Sequence, residues 1–418
     1  MSSETNTSGS SPSRLHTASI VQLAFSLLGI VAVWSTAATL ALIGLIERFN
    51  PSPGSPGYMP FLLLSASVAL VGILLLPSAG YALLRLLGRA ADKSVRLGGR
   101  LIPLSLVVIL PIVLLLGRWV SDRQDINWLL LPPIHLLAIG LPVLFLTFLG
   151  LRGIRLGSPQ RVWGVVAAGS CLGPILIFAA EALAVSAFMV LALIWLSTRP
   201  ELMSELTLLV ERLEGAPYSP QIIQQIIAPY LARPAVVLSV LAFGALVVPL
   251  IEEVIKPVGV WLLAGYQLSP ATGFAMGVLS GAGYALVESL GLANTGEGWI
   301  ELVLARMGTA GVHILTAGMF GWALAQAWQE GRYLRLGVIY LLNVALHGVW
   351  NAVSLSTITT TLPLLEGANS NLAPLARLAD FATYILAGLA LLAVIVIWVV
   401  NRRIALSEEE APAARGVV

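Results

Sequence analysis

Val247–Trp261 reads VVPLIEEVIKPVGVW, and Glu252, Glu253 and Lys256 interrupt what is otherwise a continuous apolar run. An ionisable group at bilayer depth costs about 2.5–3.5 kcal/mol on insertion scales and is tolerated mainly where it serves a site. The apolar segment it belongs to, near 234–266, is long enough to span a bilayer as a helix. Its reading therefore decides two things together: the chain is built from membrane helices, and its chemistry is to be sought inside them.

The rest of the chain agrees. Of 418 residues, 58% are hydrophobic and 11% are charged, whereas soluble domains carry about 25% charged residues. This excludes a soluble globular fold. Alternating ten-residue segments of the barrel type are absent from the sequence, so the expected class is all-α, a polytopic membrane helical bundle. The net charge of +2 comes with no basic, aromatic-interleaved stretch, so the expected environment is the lipid bilayer and no nucleic-acid partner is expected. Cys171, the single cysteine, excludes an intrachain disulfide and a cysteine-rich metal site.

Ten segments are apolar and long enough to cross, near 18–46, 59–87, 100–120, 127–151, 162–197, 234–266, 270–293, 299–328, 335–357 and 376–401. The fifth is long and is expected to tilt, break near Pro174 or divide in two. Positive charge crowds alternate loops: Arg85, Arg89, Lys93, Arg96 and Arg100; then Arg152, Arg155 and Arg161; then Arg332 and Arg335; then Arg402 and Arg403. About ten spans with both termini cytoplasmic satisfy this pattern, and the cell membrane is the expected location.

The polar, Ser/Thr-rich residues 1–17 read as a disordered tail, since no small-residue cleavage signature follows them, and 402–418 as a cytoplasmic tail. Residues 18–197 form membrane helices of unassigned role. The 198–233 loop carries two amphipathic stretches, ELMSELTLLVERL and SPQIIQQIIAPYLARP, expected to lie in the outer interface plane, at rest on lipid or as a gate for something entering sideways.

Four successive segments then carry the unusual residues. They are Glu252, Glu253 and Lys256; Tyr284 and Glu288; Arg306 and His313; and His347 and Asn351. Counted from turns near Ser269 and Arg332, Glu253, Glu288, His313 and His347 lie about 16, 19, 19 and 15 residues away. At 1.5 Å per residue this places all four roughly 22–29 Å deep. Glu252/Lys256, Tyr284/Glu288 and His347/Asn351 are each i,i+4 pairs, and Arg306 and His313 share a face. Pro249 and Pro257 bracket the glutamates and free backbone carbonyls there.

Two carboxylates and two imidazoles in a low-dielectric site suit hydrolysis. A buried carboxylate takes a proton from water, and an Asn donates to an oxyanion. A His₂Glu set is a known catalytic zinc pattern, here without HExxH and with its ligands on three helices. Arg306 is expected to pair with Glu288 or Glu301. Glu181 and His135 have no companions at matched spacing and read as structural or cavity-lining.

These motifs, in this order, resemble the PrsW family of intramembrane proteases, related to the CAAX-processing and bacteriocin-processing membrane proteases. EEVIK at 252–256 resembles the paired-Glu motif, YALVE at 284–288 the aromatic-xxx-Glu motif, HILTAG from His313 the third, and HGVWN at 347–351 the fourth. Tyr284 stands where Phe is expected, and Asn351 where Asp is common. The resemblance covers roughly 240–355, so 234–357 is taken as the protease core and 376–401 as a final transmembrane helix.

It implies an intramembrane endopeptidase acting on membrane-embedded or membrane-proximal proteins, as in the release of anti-sigma factors. Glu252 or Glu253 would activate water and Asn351 would stabilise the oxyanion. His313 and His347 would bind a metal, zinc by the donor set, or stabilise the oxyanion, and Glu288 would be a third ligand or stand behind the ligands, with Lys256, Tyr284 and Arg306 in support. Two other classes use intramembrane Glu, His and Lys: a proton- or cation-coupled transporter, and a non-catalytic scaffold related to the protease fold. The lack of an internal repeat disfavours the first, and the intact glutamate pair disfavours the second.

Overall fold

The computed structural model describes residues 12–414 apart from 53–54, 90–93, 99–100, 218, 232, 293–297 and 362–372. Its helices run in chain order as α1 (Pro12–Phe49), α2 (Met59–Leu86), α3 (Leu101–Ser121), α4 (Asn127–Leu151) and α5 (Pro159–Ala167). A π-helical turn at Ala168–Leu172 leads into α6 (Gly173–Ser197), followed by α7 (Pro200–Glu214), α8 (Pro220–Leu231) and α9 (Pro234–Ala242). A second π-turn, Phe243–Val247, leads into α10 (Val248–Ile255) and α11 (Val258–Trp261). The remainder are α12 (Pro270–Leu290), α13 (Gly298–Glu330), α14 (Tyr333–Thr361), α15 (Ala373–Asp380) and α16 (Ala382–Ala414). The described residues contain no strand beyond one isolated antiparallel bridge, Arg96 to Arg155.

Among the described residues nine helical spans are long and apolar enough to cross a membrane, against the ten expected. The third expected segment is α3, whose described side chains, Ser105–Ser121, form a shorter apolar helix. The fifth is unbroken. It runs Pro159–Ser197 through the first π-turn, which ends just before Pro174, where a proline has no N–H to give a regular α-turn. Both expected amphipathic stretches are helices, α7 and α8, and α7 buries none of its residues.

The tails differ from expectation. Helix α1 starts at Pro12, a residue suited to a first helical position, and α16 continues to Ala414 through a stretch rich in helix formers; residues 1–11 and 415–418 lie outside the described set.

Hydrogen bonds bring three of the four arginine-rich segments to one face. Gln160 Nε2 donates to Ser19 Oγ (2.9 Å) and Gln22 Oε1 (3.1 Å), and Arg85 Nε donates to Gln160 Oε1 (3.2 Å). Arg96 Nε donates to Gly153 O at 3.0 Å, and Asn401 Nδ2 to Gly150 O at 2.8 Å. The start of α1, the ends of α2 and α4, and the C-terminal part of α16 therefore share an end of the bundle.

Helix α12 lies at the centre. Ser269 caps it by accepting from Thr272 N (3.1 Å), with Pro270 in the first turn, and most of its residues are buried. Its small residues let α13 approach to backbone contact: a Cβ on Gly277 would stand 2.2 Å from Ala317 O. On the opposite side Gly169, in the first π-turn, meets Ser280 just as closely. Without a hydrophobic drive between helices in lipid, such close approach supplies the packing energy. Around it Phe274, Val278, Leu146, Ile314 and Ile397 form the main apolar cluster.

Gly277→Val must push α12 and α13 apart. It is expected to cost about 1–3 kcal/mol of stability, read as a lowered thermal midpoint of the detergent-solubilised protein, whereas Gly337→Val, which has open space around it, should leave that midpoint near wild type.

Candidate active site

The span carrying Glu252 is irregular on both sides of the glutamates. Upstream, the π-turn leaves a carbonyl free, and Asn351 Nδ2 donates to it at Gly244 O (2.9 Å). Downstream, Pro257 ends α10, and the loosened backbone finds side-chain partners. Trp261 Nε1 donates to Val254 O (2.8 Å), Ser280 Oγ to Lys256 O (2.7 Å) and Gly259 N to Ser280 Oγ (3.1 Å). Irregular backbone survives at membrane depth only where the protein itself satisfies it.

Helix α14 runs along this span. Tyr340 Oη donates to Leu250 O (2.8 Å), and a Cβ on Gly348 would lie 2.4 Å from Ala245 O. His347, on the same face as Tyr340 and Asn351, is thereby set against the glutamates. Asn343 Nδ2 donates to Thr316 O (2.8 Å), which fixes α14 against α13 beside His313.

Glu252, Glu253, Lys256, His313 and His347 are all buried, Glu253, Lys256 and His313 completely. Lys256 Nζ donates to Glu253 Oε1 in a short contact, lies 2.8 Å from His313 Nδ1, and is 3.9 Å from Glu252 Oε2. His347 Nδ1 meets Glu253 Oε1 at 2.9 Å, which turns its Nε2 toward Glu252 Oε2, 4.0 Å away. His313 Nε2 approaches Glu288 Oε2 at 2.7 Å, and Arg306 reaches the same oxygen at 2.7 Å. The His313 ring stands edge-on to those of Tyr284 (5.3 Å) and His347 (5.0 Å). Four separate helices thus deliver one connected cluster.

An ammonium donating to Nδ1 of His313 makes that nitrogen the acceptor and leaves the ring proton on Nε2, facing Glu288. Glu253 is committed through Oε1 to both Lys256 and His347. The Oε2 atoms of Glu252 and Glu253 are both buried with no hydrogen-bond partner, and such atoms cost free energy unless something answers them. Glu252, His313 and His347 each offer a ligand atom, all within 4.8 Å of one another. This His₂Glu donor set suits zinc, and the carboxylate of Glu253 on the far nitrogen of His347 is the support a metal-bound imidazole requires.

The structure brings eight of the expected site residues together: Glu252, Glu253, Lys256, Tyr284, Glu288, Arg306, His313 and His347. Glu288, expected as a metal ligand or in support of one, has its carboxylate against Arg306 and His313, and Glu252 is the carboxylate that groups with the two imidazoles. Asn351, expected to face an oxyanion, donates instead to the π-turn.

Glu181, read as lacking companions, is brought to the cluster. Helix α6, which carries it, packs on both α10 and α12. The available signal was its i,i+4 line from Gly173 through buried Ile177. His135 sits elsewhere, in a second apolar cluster, accepting from Trp299 Nε1 at 3.2 Å.

A multi-helix membrane protein that buries paired carboxylates and two imidazoles between facing helices has the build of an intramembrane hydrolase. Residues 217–400 match the family model of the PrsW family intramembrane metalloproteases. The resemblance carried by the four motifs thus holds for that part of the chain and extends beyond them, from the loop before α8 into α16. Comparison with curated proteins and with solved structures gave no match.

Lys256→Met would leave the buried Glu253 carboxylate without its cation, and breaking a buried pair in this way costs about 3–5 kcal/mol. The expected outcome is a large loss of thermal stability in detergent, recovered in part by adding Glu253→Gln.

Proposed function

We propose that this protein is an endopeptidase that hydrolyses peptide bonds of membrane-embedded or membrane-proximal proteins. The observation that carries the reading is the unbonded, buried Oε2 of Glu252 facing two imidazoles within a segment of the PrsW family. We place the arginine-rich end of the bundle in the cytoplasm, on the positive-inside pattern, and the protein in the cell membrane.

Hydrolysis needs a water whose proton is taken up, a carbonyl whose developing negative charge is answered, and a proton for the departing amine. In this reading Glu252, His313 and His347 would hold a zinc ion, His313 through Nδ1 once Lys256 gives that nitrogen up; when bound, the ion would supply Lewis acidity and an acidified water. Glu253 orients His347 through Nδ1 with one oxygen, and its unbonded Oε2 takes the water's proton and passes it to the departing amine, while Lys256 holds Glu253 in place. Tyr284, whose ring lies 5.3 Å from that of His313, takes the oxyanion-donor role expected of Asn351. Arg306 holds Glu288 against His313, which keeps that ring in one tautomer. Helices α7 and α8 are suited to admit a substrate helix from the side, and by family resemblance an anti-sigma factor is one class of substrate.

Activity is tested with full-length protein in liposomes and a membrane-anchored substrate, with zinc measured on the same preparations. Glu252→Gln and the His313→Ala/His347→Ala double variant should lower cleavage at least about 100-fold and lose zinc. Glu288→Gln should keep zinc, and Tyr284→Phe should lower kcat while keeping zinc. Full activity in zinc-free wild-type protein would overturn the metal assignment. Undiminished cleavage by Glu252→Gln would overturn the site, and ion-driven uptake without cleavage would favour a transporter.

Asn351→Ala should cost less than about tenfold in cleavage, since its amide supports the π-turn; a loss equal to that of Glu252→Gln would return it to the reacting groups.

A further inference from the structure

At the arginine-rich end, where α4 stops against α16, a cavity of about 460 Å³ opens to the surface. Arg152 and Arg402 line it together with Asn401, Trp398, Leu149 and Leu406. Its volume falls in the range of small-ligand sites. Both arginines are exposed, and among the described residues no carboxylate pairs with either. The Arg402 guanidinium lies 5.7 Å from the Trp398 ring centre, which holds it at the rim.

The end of a helix ordinarily presents bare carbonyls that repel an anion. Here Asn401 Nδ2 donates to Gly150 O (2.8 Å) and to Arg152 O (3.0 Å), covering two of them. The two guanidiniums then dominate the field in the cavity. Trp398, Leu149 and Leu406 make the side toward the membrane apolar, and Trp and Arg together at a helix end mark the membrane–water interface.

We propose that this cavity binds a phosphate-bearing anionic headgroup and that the carrier is a membrane lipid. A phosphodiester oxygen pair matches guanidinium geometry, the apolar wall takes the glycerol and upper acyl carbons, and basic pockets between membrane helices hold such headgroups. The site is separate from the buried Glu/His cluster and does not depend on its chemistry.

The test uses the full chain in nanodiscs of phosphatidylglycerol or phosphatidylcholine, followed by delipidation and measurement of retained lipid. Wild-type protein should retain the anionic lipid preferentially. Arg152→Gln/Arg402→Gln should retain about tenfold less, and Arg152→Lys/Arg402→Lys should recover most of the loss. Should the Gln variant fail to fold, rising salt should strip the anionic lipid from wild-type protein. Equal retention of the two lipids, or wild-type retention by the Gln variant, would overturn the proposal. Displacement by millimolar inorganic phosphate would overturn the lipid as carrier.

Discussion

Removing the Lys256 ammonium from water would cost several kcal/mol if nothing answered its charge. The structure answers it from three directions, with Glu253, Glu252 and the ring of His313, which come from two different spans. Each of those groups is itself too costly to bury alone. His347 then joins through Glu253, and Glu288 and Arg306 through His313. The cluster is therefore mutually obligatory: α10, α12, α13 and α14 must all be in place before any one of its charges is tolerable at that depth.

Backbone irregularity and site chemistry are two sides of one arrangement. The π-turn and Pro257 prevent the span of Glu252 from being a plain helix, and each defect is answered by a side chain from a neighbour. Asn351 and Tyr340 come from α14, and Ser280 from α12. These bonds set the register in which His347 meets Glu253. The glycines of α12 do the same for α13 by letting the backbones touch, which carries His313 to the site.

Much of this was legible in the sequence for a simple reason. Ionisable residues in an apolar run are conspicuous, and helical rise converts residue counts to depth, so the four polar segments could be matched before any packing was known. Arg306 with Glu288 follows from the need to pair charges. Which carboxylate would group with the two imidazoles was not legible, because spacing along a helix does not say which carboxylate another helix will engage. The partner of Asn351 was hidden for a related reason: a π-turn has no sequence signature, so the carbonyl it leaves open could not be foreseen. Glu181 stands apart in the sequence because it lies about 23 residues beyond the turn at Ser158, farther than the 15–19 of the other polar groups. At the N-terminus polar composition reads as a tail, yet residues 12–17 begin α1.

The π-turn at Phe243–Val247 also sets a limit on how this protein can vary. A π-turn is one residue more than an α-turn, and one residue is about 100° of helix rotation. Loss of a single residue there would restore a smooth helix and leave every apolar position equally apolar, yet it would swing Glu252 and Glu253 away from the histidines toward lipid. Length within this short stretch is thus held as tightly as identity is at the glutamates, while the amphipathic helices before it can lengthen or shorten with little consequence for the cluster.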